Sequence, residues 1–337
     1  MESLVPHYGS YADPSGNIVV IARLGWYFDM RTSAYRTIYA TGSPDRFTIG
    51  LRFLEPLPKF ADLLFDGDTL MVNNRAFHRV TYRQTDVTIA VAGGQILATI
   101  TEPMAGGLHP GIVIVHGAET GQRYFYDVWV AIYASMGLAV LTYDKRWRGE
   151  APTAAVLEGY AEDASAALRF LAQWPGIDPH RVGFHGGSQG GWTVPLAIMR
   201  NGQAAFAVLA SAPATTVDQT DLWAGFTNGG GAAPTESTDQ MLAEVRRAGG
   251  GYDPVPALRA IGVPALWLLG VNDRTVPTMV CLEIINAMRK PNFSVQLLPT
   301  GHALLVNPTG LLADDERSFG LAPEMLSTMR AWAATEV

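Results

Sequence analysis

A chain of 337 residues is long enough for two domains. Lys+Arg 24 against Asp+Glu 31 leaves a net charge of −7, which excludes the basic stripe that a nucleic-acid backbone requires. Charged residues make up 16% and hydrophobic residues 48%, enough apolar material to fill a large core and to exclude disorder.

At the N-terminus His7, Asp13 and Pro14 interrupt the unbroken apolar region that a signal peptide needs. No apolar run reaches the roughly 18 residues of a membrane span. A soluble, cytoplasmic protein is therefore expected. Up to residue 86, short alternating runs stand between turn clusters: Ile18-Val19-Val20-Ile21, Gly25-Trp26-Tyr27-Phe28, Thr37-Ile38-Tyr39 and Phe47-Thr48-Ile49-Gly50-Leu51. These predict a small β-rich N-terminal domain, 1–86. Its few apolar runs would barely sustain a free domain, and no Ser/Gly-rich tether follows it, so it is expected to pack on the rest.

From residue 87 the pattern becomes strand, helix, strand. Ile112-Val113-Ile114-Val115 is fully apolar, as strands buried on both faces require. Trp129, Ile132, Tyr133 and Met136 repeat at helical spacing, and Leu138-Ala139-Val140-Leu141 is the next strand. Ala164, Ala167, Leu168 and Leu171 form a second helical face closed by Pro175. Further strands are predicted at 181–185, 206–209, 265–269 and 293–298. This alternation predicts an α/β fold, a mostly parallel sheet flanked by helices. The lone cysteine, Cys281, sits in an apolar helical pattern and reads as a buried core thiol, so neither an intramolecular disulfide nor a multi-thiolate metal site is available.

Gly186-Gly187-Ser188-Gln189-Gly190 is a Gly-x-Ser-x-Gly pentapeptide between a strand pattern and a helical one. A strand turning sharply into a helix strains its turn residue and demands small flanking residues. It presents the hydroxyl near a helix N-terminus, where a developing anion is favoured. Ser188 is the predicted nucleophile. His302, in Thr300-Gly301-His302, follows the last strand pattern, and Asp273, in Asn272-Asp273-Arg274, follows the strand before it. All three sit where parallel strands end, the usual place for a site in an open sheet, and can serve as nucleophile, base and orienting acid. His116 opens His116-Gly117-Ala118-Glu119 and is expected to hold that loop. The Ala118 and Gln189 backbone amides are the expected oxyanion donors. His185 reads as a packed strand residue. His7, His78, His109 and His180 have no chemistry-bearing neighbours.

With these motifs, and with Leu141-Thr142-Tyr143-Asp144-Lys145-Arg146 and Trp267-Leu268-Leu269-Gly270, residues 87–337 resemble the α/β-hydrolase superfamily. Within it they resemble a bacterial branch of serine esterases and acyl hydrolases with an extra N-terminal β segment. The resemblance implies the α/β-hydrolase fold and acyl-enzyme chemistry. In that branch a glycine commonly follows Asp-Lys-Arg, whereas here Trp147 and Arg148 intervene, a bulky aromatic and a cation at the expected pocket entrance. The insertion 212–262 is in the position of a lid. Trp147, Trp192, Trp223 and Phe226 are the expected substrate contacts.

A carboxylic ester hydrolase is the favoured reading. A thioesterase, an amidase or peptidase, and a non-catalytic binding protein of the same fold are the alternatives. No cofactor is expected, and no His-x-x-Glu-His motif or carboxylate cluster suggests a metal. The expected partner is a small-molecule ester, with a homo-oligomer admitted.

Overall fold

The computed structural model describes residues 2–337 apart from 104, 120, 148 and 150. Strands β1 (Gly9–Ala12), β2 (Ile18–Ala22), β3 (Trp26–Asp29) and β4 (Ala34–Ser43) are followed by β5 (Arg46–Gly50), β6 (Lys59–Asp66), β7 (Thr69–Val72) and β8 (Arg75–Val80). They pair antiparallel in chain order, and β8 returns to β1 to close a barrel. Period-two alternation fills it. On β6, Ala61, Leu63 and Phe65 point inward beside Ile49 and Leu70, while Leu64 faces out. Leu4 joins this core, and the buried His7 stacks its ring on Phe65 at 4.0 Å.

The second sheet holds β9 (Arg83–Val91), β10 (Gly94–Glu102), β11 (His109–Val115) and β12 (Ala139–Tyr143). It continues through β13 (Ile177–Gly187), β14 (Ala207–Ala210), β15 (Ala265–Gly270) and β16 (Phe293–Leu298). Its order is β16-β15-β14-β13-β11-β12-β10-β9. Strand β10 runs antiparallel to β9 and β12, and the remaining pairs are parallel. The texture change expected at residue 86 falls inside β9. This edge strand alternates exposed Asp86 and Thr88 with Val87 and Ile89, so it reads like a barrel strand although it pairs with β10.

Helices α1 (Asp127–Ser135), α2 (Ala154–Ala172), α3 (Gly190–Asn201), α4 (Val217–Thr227) and α5 (Thr238–Arg247) are followed by α6 (Val255–Ala260), α7 (Thr278–Met288), α8 (Leu312–Glu316) and α9 (Pro323–Glu336). Alternate residues of the buried strands serve opposite faces. Val113, Val115 and Leu141 meet α2 and α3, whereas Ile112, Ile114 and Val140 meet α1 and α9. Cys281, on α7, is fully buried in the first of these layers, and burial pushes its thiol up to about 11.

The barrel is part of the second layer. Val20, Ala22, Phe28 and Met30 on its outer wall pack with Val128, Ile132 and Met325. Backbone bonds fasten the join: Phe53 N–H donates to the Ser318 carbonyl at 2.8 Å, and Leu321 N–H to the Ser33 carbonyl at 2.9 Å. A Cβ on Gly320 would fall 2.0 Å from the Ser33 oxygen, so glycine is what allows this approach. Among the described residues, no helix is long and apolar enough to cross a membrane.

Candidate active site

Ser188 stands between β13 and α3 with φ of 51°, a left-handed conformation that a non-glycine residue holds only where its surroundings impose it. Its amide donates to the Ala210 carbonyl at 3.0 Å, and its carbonyl accepts from Gly191 N–H at 2.7 Å. The flanking glycines are required by packing. A Cβ on Gly186 would lie 2.7 Å from both Gly190 O and Val194 Cγ2, and one on Gly190 would lie 2.9 Å from Val115 O.

The loops after β15 and β16 bring the other two residues to it. His302 Nε2 lies 3.0 Å from Ser188 Oγ, and its Nδ1 lies 2.8 Å from Asp273 Oδ2. Asp273 is buried, and its second oxygen accepts from the Thr275 and Val276 amides, each at 2.8 Å. The carboxylate is thereby held toward the imidazole it faces. Burial opposes a charge on His302, yet Asp273, by charge and hydrogen bond, together with Asp315 holds its pKa above the ordinary histidine value. The ring can accept a proton from the serine and keep it.

Two loops converge on the other side of Ser188. Among the described residues, neither the Ala118 amide nor the Gln189 amide donates to an acceptor. The loop carrying Ala118 is held by a compact network. His116 Nε2 donates to the Tyr143 carbonyl at 2.5 Å, and His116 Nδ1 lies 3.1 Å from Glu119 Oε1. That carboxylate oxygen also accepts from Gly117 N–H at 3.1 Å and from the Tyr126 hydroxyl. Burial works against the Glu119 carboxylate, but the bonds from His116 and Tyr126 outweigh it and keep its pKa below the usual range.

Lys145 ties this loop to the serine turn. Its Nζ donates to the Gly117 carbonyl at 2.5 Å, to the Glu119 carbonyl at 3.2 Å and to Gln189 Oε1 at 3.0 Å. Burial pushes its pKa down to about 8, against the pull of Glu119.

Ser188 and His302 open onto a cavity of about 330 Å³. Its wall is mainly apolar. Trp26, Tyr35 and Phe53 come from the barrel, Phe125 from the turn before α1, Trp129 from α1 itself, and Leu304 from the loop after His302. The Trp26 and Phe125 rings meet edge-on at 5.9 Å, so the aromatic wall is continuous across the join.

A model of the prolyl oligopeptidase family matches residues 134–302, just over half of the chain. The protein belongs to the prolyl oligopeptidase family. An uncharacterized protein of Mycobacterium tuberculosis is 25% identical over 219 residues, 64% of this chain and 72% of that one. Among solved structures, an esterase of Pyrobaculum calidifontis is 21% identical, with a TM-score of 0.52, over 74% of this chain and 85% of its own. A thermostable carboxylesterase cloned from a metagenomic library is also 21% identical, with a TM-score of 0.53, over 76% and 91%. A Pyrococcus furiosus esterase is 16% identical, with a TM-score of 0.54, over 76% and 91%. These likenesses establish the α/β-hydrolase fold. With the family match, they make the protein a serine hydrolase.

In this member of the prolyl oligopeptidase family the expected aromatic contacts lie elsewhere. Trp192 is buried with its Nε1 donating to the Thr215 carbonyl at 3.0 Å, and Trp223 Nε1 donates to the Asp273 carbonyl at 3.0 Å, bracing the acid's loop. Phe226 packs on the cluster of Trp223, Met241, Leu242, Val245 and Val280. Trp147 is 49% exposed, and Arg148 lies outside the described residues. None of Trp147, Trp192, Trp223 and Phe226 lines the cavity.

The reason is where the insertion puts its apolar face. Capping boxes at Thr216 and Ser237 start α4 and α5, and Met241, Leu242 and Val245 then bury against α4 and α7 rather than over Ser188. No described residue of 212–262 reaches the cavity, and the barrel supplies its roof instead. Sequence reading missed Trp26, Tyr35, Phe53, Phe125 and Trp129. The signal within reach was the density of rings in Gly25-Trp26-Tyr27-Phe28 and Tyr124-Phe125-Tyr126. His185 is buried, as a strand residue should be, but it also lines the cavity.

Proposed function

We propose that the protein hydrolyses carboxylic esters of small or medium apolar acids through Ser188, His302 and Asp273. The observation that carries this reading is the pair of contacts at His302, 3.0 Å to Ser188 and 2.8 Å to Asp273, at the mouth of an aromatic cavity. As Ser188 Oγ attacks the ester carbonyl carbon, its proton passes to His302 Nε2, and the carbonyl oxygen takes up the negative charge. The Ala118 and Gln189 amides receive that oxyanion. Asp273 keeps the imidazole oriented and stabilises it while charged. Collapse of the tetrahedral adduct breaks the ester C–O bond, and His302 returns the proton to the departing alcohol. Water, giving its proton to His302, then attacks the acyl-serine, and the acid leaves with Ser188 restored.

The aromatic wall of the cavity favours an acyl group over a polymer, and its apolar surface supplies most of the binding energy. The barrel, in this reading, is a fixed roof that sets acyl size. A second reading, cleavage of an amide or peptide bond by the same groups, draws on the family match.

Aryl esters of rising chain length, with thioester and anilide counterparts, separate the two. Esters should be turned over fastest, and Ser188→Ala should lower their turnover by about 10⁴-fold or more with folding intact. Faster anilide than ester turnover would favour the peptidase reading. Near wild-type hydrolysis by Ser188→Ala would sink the covalent mechanism.

A further inference from the structure

We propose that His185 forms a hydrogen-bond donor subsite in this cavity, its Nε2–H taking an uncharged acceptor oxygen carried on the acyl chain of the substrate. The proposal rests on the ester-hydrolase reading and names the acyl class: aromatic or aliphatic acids bearing a keto or ether oxygen.

His185 is 1% exposed, yet among the described residues only one of its ring nitrogens has a partner. Nδ1 lies 2.8 Å from the Tyr133 hydroxyl, and no described residue bonds Nε2. Among the described residues, the Tyr133 hydroxyl in turn bonds no other side chain or backbone group. If Nδ1–H were the donor, the buried phenolic hydrogen would be stranded without an acceptor, which a buried polar group tolerates poorly. The arrangement that strands nothing has the Tyr133 O–H donating to Nδ1, which leaves the ring proton on Nε2. Trp129 lies against the ring at 4.5 Å between centroids and fixes its plane. Burial pushes the imidazole down to about 3, so it stays neutral and presents an N–H dipole rather than a cation. A neutral donor suits a carbonyl or ether oxygen.

Gly187 makes the nitrogen accessible. Gly186 and Gly190 are forced to be glycine by contacts under 3 Å, but a Cβ on Gly187 would meet nothing nearer than 3.9 Å, and what it meets there is His185 Nε2 and Ala210 O. The turn does not need glycine at this position. Its absent side chain instead leaves Nε2 open to the cavity that Gly187, His185 and Ser188 line together. The acyl group stays bonded to Ser188 after the alcohol departs, so it is the part of the substrate that this cavity wall must fit. An all-carbon chain would cover the N–H without pairing it, and the site would discriminate against it.

The test has a kinetic arm and a binding arm. In the first, p-nitrophenyl esters with a keto oxygen at the third, fourth or fifth acyl carbon are compared with their all-methylene counterparts. One keto ester should be preferred in kcat/KM, and that preference should fall about tenfold in His185→Phe and in Gly187→Ala. Gly187→Ala covers Nε2 while leaving the bond to Tyr133 in place, so it serves where His185→Phe folds poorly. In the second arm, the tryptophan fluorescence of Ser188→Ala is titrated with acetophenone and with ethylbenzene. Adding His185→Phe or Gly187→Ala should lower the ketone-to-hydrocarbon affinity ratio by about the same factor. Absence of ester turnover by the wild type would refute the ester-hydrolase reading, and the ligand ratio would still decide on the subsite. A ratio unmoved by both variants, or no keto preference in the parent, would overturn the subsite.

Discussion

Both ends of the pH profile expected for the proposed mechanism follow from the surroundings of His302 and of Lys145, the lysine beside the serine turn. In the proposed mechanism His302 works as a base only when neutral, and Asp273 and Asp315 outweigh burial to hold its pKa above the ordinary value. Activity should therefore be lost, as pH falls, at a point above the usual histidine midpoint of about 6.5. Lys145 holds the Ala118 loop to Gln189 as a cation, and burial has brought it down to about 8. Loss of its proton as pH rises through that value should weaken the clamp and draw the alkaline limb. Steady-state kcat/KM across pH should show a bell. Asp273→Asn should move the acid limb down and lower kcat/KM by roughly 10³–10⁴-fold. Lys145→Met should remove the alkaline limb and lower the maximum. An unchanged alkaline limb in Lys145→Met would show that the clamp does not govern the oxyanion loops. That Ser188, Asp273 and His302 come together was legible in the sequence because each directly follows a strand pattern, a local feature. Lys145 was not assigned this part, because its three acceptors come from two distant loops that meet only in the folded chain.

At the scale of the element, the strand–turn–helix around Ser188 separates glycines that packing requires from one that it does not. Gly186→Ala places a methyl 2.7 Å from Gly190 O and Val194 Cγ2, and neither backbone nor a packed β-branched side chain can easily yield. It should destabilise the fold by about 1–3 kcal/mol in chemical denaturation. Gly187→Ala should stay within about 0.5 kcal/mol of the wild type. Equal destabilisation by the two would mean that the turn constrains both positions through its backbone. This distinction could not be read from the pentapeptide, since both positions are glycine and the deciding atoms lie on α3 and on the cavity side. The parallel strands were legible as short apolar runs, because burial on both faces removes every polar residue from them. The β9–β10 hairpin was not. Its exposed alternation on β9 matches that of a barrel strand, and only pairing decides which sheet it joins. The insertion helix at 241–245 was visible by its spacing, but spacing shows only that a face is buried. The cluster with Trp223 and Val280 determines against what.

For the molecule as a whole, the wall of the cavity is assembled from two sheets that could not each close it alone. Tyr35 and Phe53 stack at 4.9 Å, Trp26 meets Tyr35 edge-on at 5.4 Å, and Trp26 reaches Phe125 across the join at 5.9 Å. Residues on the outer wall of the barrel, Val20, Phe28 and Met30, share a core with α1 and α9, and Phe53 and Leu321 bond across the join through the backbone. A roof fastened by apolar packing and ladder-like bonds holds its position, so cavity length is set by side-chain size rather than by closure. Removing an aromatic from it should lengthen the space available to an acyl chain, and removing Trp147, which stands outside the cavity, should not. The chain-length optimum for aryl esters should move to longer acids in Trp26→Ala and in Phe53→Ala, and remain where it is in Trp147→Gly. Each ring truncation should also cost stability, up to about 3 kcal/mol for a side chain half-buried at an interface. Kinetics should therefore be read well below the unfolding temperature of each variant. An optimum that stays fixed in both barrel variants while shifting in Trp147→Gly would return the pocket to the loop after β12 and leave the barrel with a purely structural part.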